Sequence, residues 1–233
     1  MKNIINEKPT DEIHGRALFC TKFVSAADLR NKVVLDIGCG FGWFKMFALK
    51  KKVKKIVGTE ISEQDLKTAK RYLRDKRLTL SVADATDLPF PDRCFDSVVS
   101  WEVIEHIPVN TESKMFSEVC RVLKPGGRFY LSTPNHSVLG NFFDPAWWLI
   151  GHRHYSPKKL SKIAQENGFV VEKITIKGGF WEVVDINNLY ICKWIFRTKP
   201  LFKSYINRKQ DYSYKNCKGF TNIFIRFKKC GRK

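Results

Sequence analysis

The chain is 233 residues long and 43% hydrophobic, with 14 glycines and 9 prolines spread along it, which fits one buried globular domain and excludes a disordered or fibrous chain. Its 42 Lys and Arg against 23 Asp and Glu leave a net charge of +19, a field that draws polyanions, so nucleic acid, an anionic membrane surface and acidic metabolites all stand as partner classes. Seven cysteines without a CxxC pair fit a reduced, cytoplasmic protein; the charged N-terminus lacks the apolar core of about 7–15 residues that a signal peptide needs, and no apolar stretch reaches the roughly 18 residues of a membrane span.

In chain order, residues 1–31 read as an N-terminal helical cap on a single domain, and residues 32–177 as its ligand-binding core. In that core, short β-branched runs alternate with amphipathic stretches. Strands are expected at VVLDI (33–37), KIVGTE (55–60), LTLSVA (78–83), FDSVVSW (95–101), GRFYLST (127–133) and VVEKITI (170–176). A helix over 62–76 opens on Ser62 and carries an apolar stripe of Leu66, Ala69, Tyr72 and Leu73. A second, over 111–127, takes Thr111 as its cap, turns Met115, Phe116, Val119, Val122 and Leu123 inward and closes at Pro125-Gly126. A third, over 156–169, has Ser156 as cap, Pro157 in its first turn and Gly168 as its stop. Residues 178–219 form an aromatic and basic insertion, and residues 220–233 the last strand, FTNIFIRF, with a basic tail. Such alternation predicts an α/β fold, a parallel sheet with helices on both faces.

The sharpest signal is VVLDIGCGFGWF, a buried strand that runs through Gly38, Cys39 and Gly40 into a helix. Glycines without a Cβ let a ligand lie against the backbone at the carboxyl end of the strand. Dinucleotide-binding folds use the same device, but with GxGxxG spacing rather than the GxGxG found here. Asp36, two positions before the first glycine, suits a cationic group, or else caps the turn. Glu60 ends the second strand about twenty residues on, the interval at which a carboxylate accepts both hydroxyls of a ribose.

Together, VLDIGCGFG, IVGTEIS, VADATDLPFPDRCFDSVVSWEVIEHI and RVLKPGGRFYLSTPN resemble the class I S-adenosylmethionine-dependent methyltransferases, in particular those similar to the ubiquinone-biosynthesis enzymes. The resemblance covers residues 32–176. It implies a Rossmann-like seven-stranded sheet of order 3-2-1-4-5-7-6 with the last strand antiparallel, and S-adenosyl-L-methionine as cofactor. By this likeness Asp36 meets the ammonium of the cofactor, Gly38, Cys39 and Gly40 cradle its methionine part, and Glu60 takes the ribose. Asp84 takes the adenine amino group with the Ala85 backbone beside it, Ile61 flanks the adenine, and Trp101 borders the methionine end.

Methyl transfer needs the acceptor close and water excluded, and a base only if the acceptor has a proton to lose. His106, in WEVIEHI, is the candidate base, with an orienting hydrogen-bond role as the alternative. Trp147, His152, His154 and Tyr155, before the 156–169 helix, are expected at the acceptor pocket. No metal is expected, because the Glu102, Glu105 and His106 spacing does not match HExxH and His152 and His154 have no obvious carboxylate nearby. From residue 178 onward, 13 Lys and Arg face 3 Asp and Glu. In the insertion Phe180, Val183, Val184, Tyr190, Ile191, Trp194 and Ile195 line one broad helical face, with Lys193, Arg197, Lys199 and Lys203 at its end. That face, with Phe142, Phe143, Trp147 and Trp148, suits an anionic membrane surface or a lipid-linked acceptor; a helical cap packed on the domain is the other reading. RNA contact has charge in its favour but no motif. The expected activity is O-methylation of a small or lipid-linked acceptor, with an NAD-dependent oxidoreductase and a cofactor-binding module without turnover as rivals.

Overall fold

The computed structural model describes residues 12–231; the first eleven residues of the expected N-terminal cap and the last two of the basic tail lie outside them. Strands β1 (Val33–Ile37), β2 (Lys55–Glu60), β3 (Leu78–Val82), β4 (Phe95–Trp101), β5 (Leu123–Pro134), β6 (Phe169–Lys177) and β7 (Asn222–Lys229) form one sheet of order β3-β2-β1-β4-β5-β7-β6, as expected. Strands β1 to β5 pair in parallel, and β7 is antiparallel to both β5 and β6.

Alternation along the strands divides the core in two. Val34, Val99, Tyr130 and Phe224 face α1 (Gly15–Phe23) and α2 (Trp43–Lys50), whereas Leu35, Val98, Phe129 and Ile225 face α4 (Glu112–Val122) and α7 (Pro157–Glu166). Both faces being covered, the central strands are apolar on each side, which is why they read as unbroken β-branched runs.

The helices follow their sequence signals with three exceptions: the helix that Ser62 opens stops at Tyr72 rather than at 76, with Leu73 extended, and α4 departs at both ends. Ser62 caps α3 (Glu63–Tyr72) by accepting from Asp65 N at 3.3 Å, and Ser156 caps α7 by accepting from Lys159 N at 3.2 Å. Ser156→Ala should lower stability by about 1 kcal/mol, read as a reduced urea midpoint at unchanged m-value. Thr111, in contrast, makes no cap; its hydroxyl donates to Pro108 O at 2.6 Å. The α4 helix does not run to Pro125-Gly126 either. It stops at Val122, and Leu123 is already extended and paired with Phe95. Pro125 disfavours a helical Lys124 and so ends the helix early.

Two six-residue helices, α5 (Val138–Phe143) and α6 (Pro145–Ile150), occupy the segment after β5, and the 178–219 insertion forms α8 (Phe180–Tyr190), a π-turn at Ile191–Ile195 and α9 (Lys203–Asn216). The expected single apolar face is therefore split. Val183 turns inward, while Phe180, Ile191, Trp194 and Ile195 stay exposed. Nor is the basic end a free cluster: Lys193 is buried, and Lys203 pairs with Asp185 at 2.6 Å. The α1 helix packs on α9 and α2 rather than lining the glycine-loop cavity. No helix among the described residues is long and apolar enough to cross a membrane.

Candidate active site

A cavity of about 390 Å³ opens at the carboxyl ends of β1, β2, β3 and β4, where open α/β sheets place their ligands. Gly38, Glu60, Ile61, Asp84, Ala85 and His106 all line it, as expected. Gly38 has φ of +65° and a Cβ there would strike Val103; at Gly40, φ is +46° and a Cβ would meet nothing within 4 Å. The loop is thus held in a left-handed shape that glycine adopts freely, with open space beside it.

Glu60 organises this loop. Its Oε2 accepts from Gly40 N at 3.0 Å and its Oε1 from Ile61 N at 2.9 Å. Thr86 holds Asp84 through its amide at 2.7 Å and its hydroxyl at 2.8 Å. Ile61 is 71% exposed, an apolar side chain left at the mouth where a planar ring can stack.

Charge gives the cavity its character. Among the described residues, Glu60, Asp65, Asp84 and Glu102 line it and no Lys or Arg does. Four carboxylates favour a cationic ligand and oppose a pyrophosphate, which needs N–H donors or basic side chains.

Gly40 and three further expected cofactor residues stand outside the lining. Asp36 is 2% exposed and faces the wholly buried Lys45, 3.4 Å away, so its carboxylate is already matched by a cation beneath the loop. Cys39 is buried and serves through its backbone, donating to Thr59 O at 2.9 Å, while its carbonyl accepts from Lys45 Nζ at 3.3 Å. Trp101 is buried against Phe44, ring centroids 5.7 Å apart. None of the three presents a side chain to the cavity, because β1 and β4 turn alternate residues away from it.

The loop after β4 carries the polar residues that the sequence underweighted. Glu102 has φ of +57°, a left-handed conformation uncommon for a glutamate. It is fixed by Ser132 Oγ donating at 2.6 Å and Arg16 Nη1 donating at 2.7 Å. Arg153 donates to the carbonyls of Ile104, Glu105 and Ile107 and to Glu112, clamping the segment that bears His106. Tyr155 joins this clamp, and the expectation that it faces an acceptor is corrected: it is 1% exposed, and its hydroxyl donates to Glu112 at 2.9 Å and lies 3.1 Å from Ile104 O.

His106 Nε2 lies 3.3 Å from His152 Nε2. Asp144 Oδ2 accepts from His152 Nδ1 at 3.1 Å and from His154 Nε2 at 2.8 Å. The expectation that no carboxylate stands near these two histidines is therefore wrong: Asp144 also caps α6, and this short FFDP turn brings it back over them. Desolvation, with the neighbouring His152 ring and the Arg153 guanidinium adding to it, pulls the His106 pKa down to about 4, although part of its ring faces solvent. The two histidines hold the Asp144 carboxyl well below its usual range against the opposing effect of burial. Burial and the nearby Glu102 push Glu105 up, and its Oε1 has no hydrogen-bond partner. Glu105, His106 and His152 each offer a ligand atom within 4.8 Å of the others, as do Asp144, His152 and His154. Trp147 lines a separate hollow of about 280 Å³ together with His152 and His154.

Known proteins place this geometry. The family profile described as a methyltransferase domain matches residues 35–131. The mitochondrial ubiquinone biosynthesis O-methyltransferase of Rattus norvegicus is 30% identical over 186 residues, covering 69% of this chain and 52% of that protein. Phosphoethanolamine N-methyltransferase 2 of Caenorhabditis elegans is 33% identical over 146 residues, covering 60% of this chain and 33% of that protein. The chain thus spans about half the length, or less, of these curated relatives. An S-adenosylmethionine-dependent methyltransferase from Mesorhizobium loti superposes with a TM-score of 0.63 at 18% identity, over 91% of this chain and 96% of that one; at that identity the likeness is one of fold.

Proposed function

We propose that the chain is an S-adenosylmethionine-dependent methyltransferase that methylates an oxygen of a small or lipid-linked acceptor, a reading supported by the matched methyltransferase profile and the 30% identical O-methyltransferase. The observation that carries the reading is the acidic cavity at the glycine loop, which among the described residues is lined by four carboxylates and no Lys or Arg. S-adenosylmethionine brings a sulfonium and an ammonium, and four carboxylates suit both. The anionic pyrophosphate of NAD would meet the same carboxylates, which weighs against the oxidoreductase rival. Glu60 takes the ribose hydroxyls, Ile61 flanks the adenine and Asp84 its amino group. Asp36 acts from below, holding Lys45, which in turn binds the Cys39 carbonyl.

When bound, the cofactor supplies a methyl group on sulfur; the protein's own residues then handle the proton. In the relatives the methylated atom differs by name, oxygen in one and nitrogen in the other, and His106 favours oxygen. Asp144 fixes His152 with its proton on Nδ1, so His152 Nε2 accepts from His106 Nε2 and His106 Nδ1 keeps its lone pair. His106 is neutral above about pH 5 because its pKa lies near 4, and so can accept a hydroxyl proton. With the cofactor supplying the methyl group as an electrophile, His106 would take the proton that the acceptor's hydroxyl gives up. His106→Gln should lower kcat by about 100-fold with S-adenosylmethionine affinity unchanged. Transfer of labelled methyl to phenols checks this, and a folded wild type that binds cofactor but methylates none favours a binding module without turnover.

A second reading adds a divalent cation. The orphaned Glu105 Oε1 lies 3.9 Å from His152 Nε2, beside His106, a donor set that zinc or another divalent cation accepts. Dialysis against a chelator separates the two: unchanged turnover supports the base, and loss reversed by added cation supports the metal. The lipid-linked acceptor is supported by exposed Phe142, Trp148, Trp194 and Ile195. Co-sedimentation with anionic liposomes at low salt is its check, and no binding removes it.

A further inference from the structure

The run KKKVKK, residues 50–55, joins α2 to β2 at the amino end of the sheet, opposite the glycine-loop cavity. The chain entering β1 meets it there: Asn31 N donates to Lys52 O at 3.0 Å, and Lys54 N and Lys55 N donate to Lys32 O at 2.9 and 3.2 Å. These backbone bonds bring Arg30, Lys32, Lys51, Lys52, Lys54 and Lys55 onto one surface, and all but the half-buried Lys32 are exposed.

The carboxylates near this surface are engaged by other cations. Asp96 pairs with Lys124 at 2.8 Å, Asp28 with Arg128 at 3.1 Å and Asp75 with Arg77 at 2.7 Å. Among the described residues, the six cations are therefore left without an acidic partner, whereas Arg16, Arg121 and Arg153 each have one. Charges of one sign held this close repel one another, and a polyanion relieves the repulsion. The same surface has no apolar anchor: among the described residues, no large hydrophobic side chain of 26–32 or 50–55 is exposed. A membrane-bound surface inserts such side chains and a peptide partner seats them in pockets. The exposed Phe142, Trp148, Trp194 and Ile195 lie on α5, α6 and the π-turn instead. A nucleic-acid backbone needs charge alone, and it carries one negative charge per about 3.4 Å of each strand, close to the spacing of about 4.8 Å between neighbouring β-strands.

We propose that this surface docks a nucleic acid through its phosphodiester backbone, without reading its sequence. Strands β1 and β2, at about 3.3 Å per residue, put the surface roughly 17–20 Å from the cofactor cavity. The bound nucleic acid is thus a tether rather than a methyl acceptor, and the docking does not depend on the methyl-transfer chemistry.

The test is fluorescence anisotropy of the full chain at about 100 mM salt with two labelled probes, an oligouridylate of about 20 nucleotides and a DNA duplex of the same length. The tighter of the two identifies the source of the backbone. Lys51→Gln, Lys52→Gln, Lys54→Gln and Lys55→Gln together should weaken binding by about 30-fold or more. They should also flatten the plot of log affinity against log salt by about 2–3, since each phosphate contact contributes roughly 0.7–0.9 to its slope. Arg30→Gln with Lys32→Gln, a second variant, should weaken binding about 5-fold. A control that removes four exposed cations of the insertion, Arg197→Gln, Lys199→Gln, Arg208→Gln and Lys215→Gln, should bind within about twofold of wild type although its net charge falls equally. Unchanged urea midpoints confirm that the variants fold. Wild-type affinity in both surface variants, or an equal loss in the insertion control, would overturn the proposal. So would tighter binding to phosphatidylglycerol vesicles or to polyglutamate than to either oligonucleotide.

Discussion

Glu60→Ala should weaken S-adenosylmethionine binding by about 100-fold or more while leaving the chain folded. Two costs add in the same direction. The carboxylate that would accept the ribose hydroxyls is lost, and the amides of Gly40 and Ile61, now bonded to it at 3.0 and 2.9 Å, lose their acceptor. Hydrogen bonds to a charged group contribute roughly 1.5–3 kcal/mol each, so the loss of two is worth about a hundredfold or more in affinity. Glu60→Gln keeps a carbonyl oxygen for one of the two amides and should fall between wild type and alanine. Calorimetry gives the affinities, and far-ultraviolet circular dichroism confirms the fold. Equal affinity in all three proteins would remove Glu60 from the site.

The same titration decides between cofactors. A cavity whose described lining holds four carboxylates and no basic side chain should bind NADH at least about tenfold more weakly than S-adenosylmethionine, as electrostatic repulsion of a pyrophosphate implies. Removing the Glu60 charge should narrow that gap from both sides.

The alternation of strands and helices and the place of the cofactor cavity were legible because both rest on short-range pattern, whereas the sheet order came from the family resemblance. A strand ending in a glycine turn, with an acid about twenty residues later, brings Gly38 and Glu60 together through one parallel pairing, β1 with β2. Asp84 and His106 follow from the ends of the next strands. What stayed hidden depends on distant partners. Lys45 looks like a surface position on an amphipathic helix, and only the fold shows it closed over Asp36. Asp144 looks like a helix cap, which it is, and its reach to His152 and His154 arises from two six-residue helices too short to display a period. Tyr155 misled for the opposite reason, since an aromatic directly after two histidines in a loop suggests a pocket, whereas Glu112 on α4 draws its hydroxyl into the core. The insertion kept its apolar residues but not their single face, because a π-turn at Ile191–Ile195 breaks the helical register.

Lys45→Met should destabilise the chain by about 3–5 kcal/mol at neutral pH, the usual cost of removing one member of a buried ion pair. Lys45 is 0% and Asp36 2% exposed, and Asp36 Oδ2 accepts no hydrogen bond, so the 3.4 Å contact with Lys45 Nζ is what compensates its charge. Burial already pushes the Asp36 pKa up, with Lys45 opposing, and removing the lysine lifts it further. The sign of the pH dependence follows. A carboxyl whose folded pKa exceeds its unfolded value binds more protons when folded, so its stabilising contribution is full below the unfolded pKa, about 3.9, and is lost as pH rises through the folded value. The variant should therefore lie nearer to wild type at pH 5 than at pH 8 in urea unfolding. Asp36→Asn combined with Lys45→Met should recover most of the loss at pH 8, because neither partner then carries a charge. A loss that is equal at both pH values and not recovered in the double variant would mean that Lys45 acts through packing beneath Gly58 rather than through charge. A Cβ at Gly58 would come within 2.2 Å of Lys45 Cε, so the lysine stem does fill that space, and the double variant is the measurement that separates its volume from its charge.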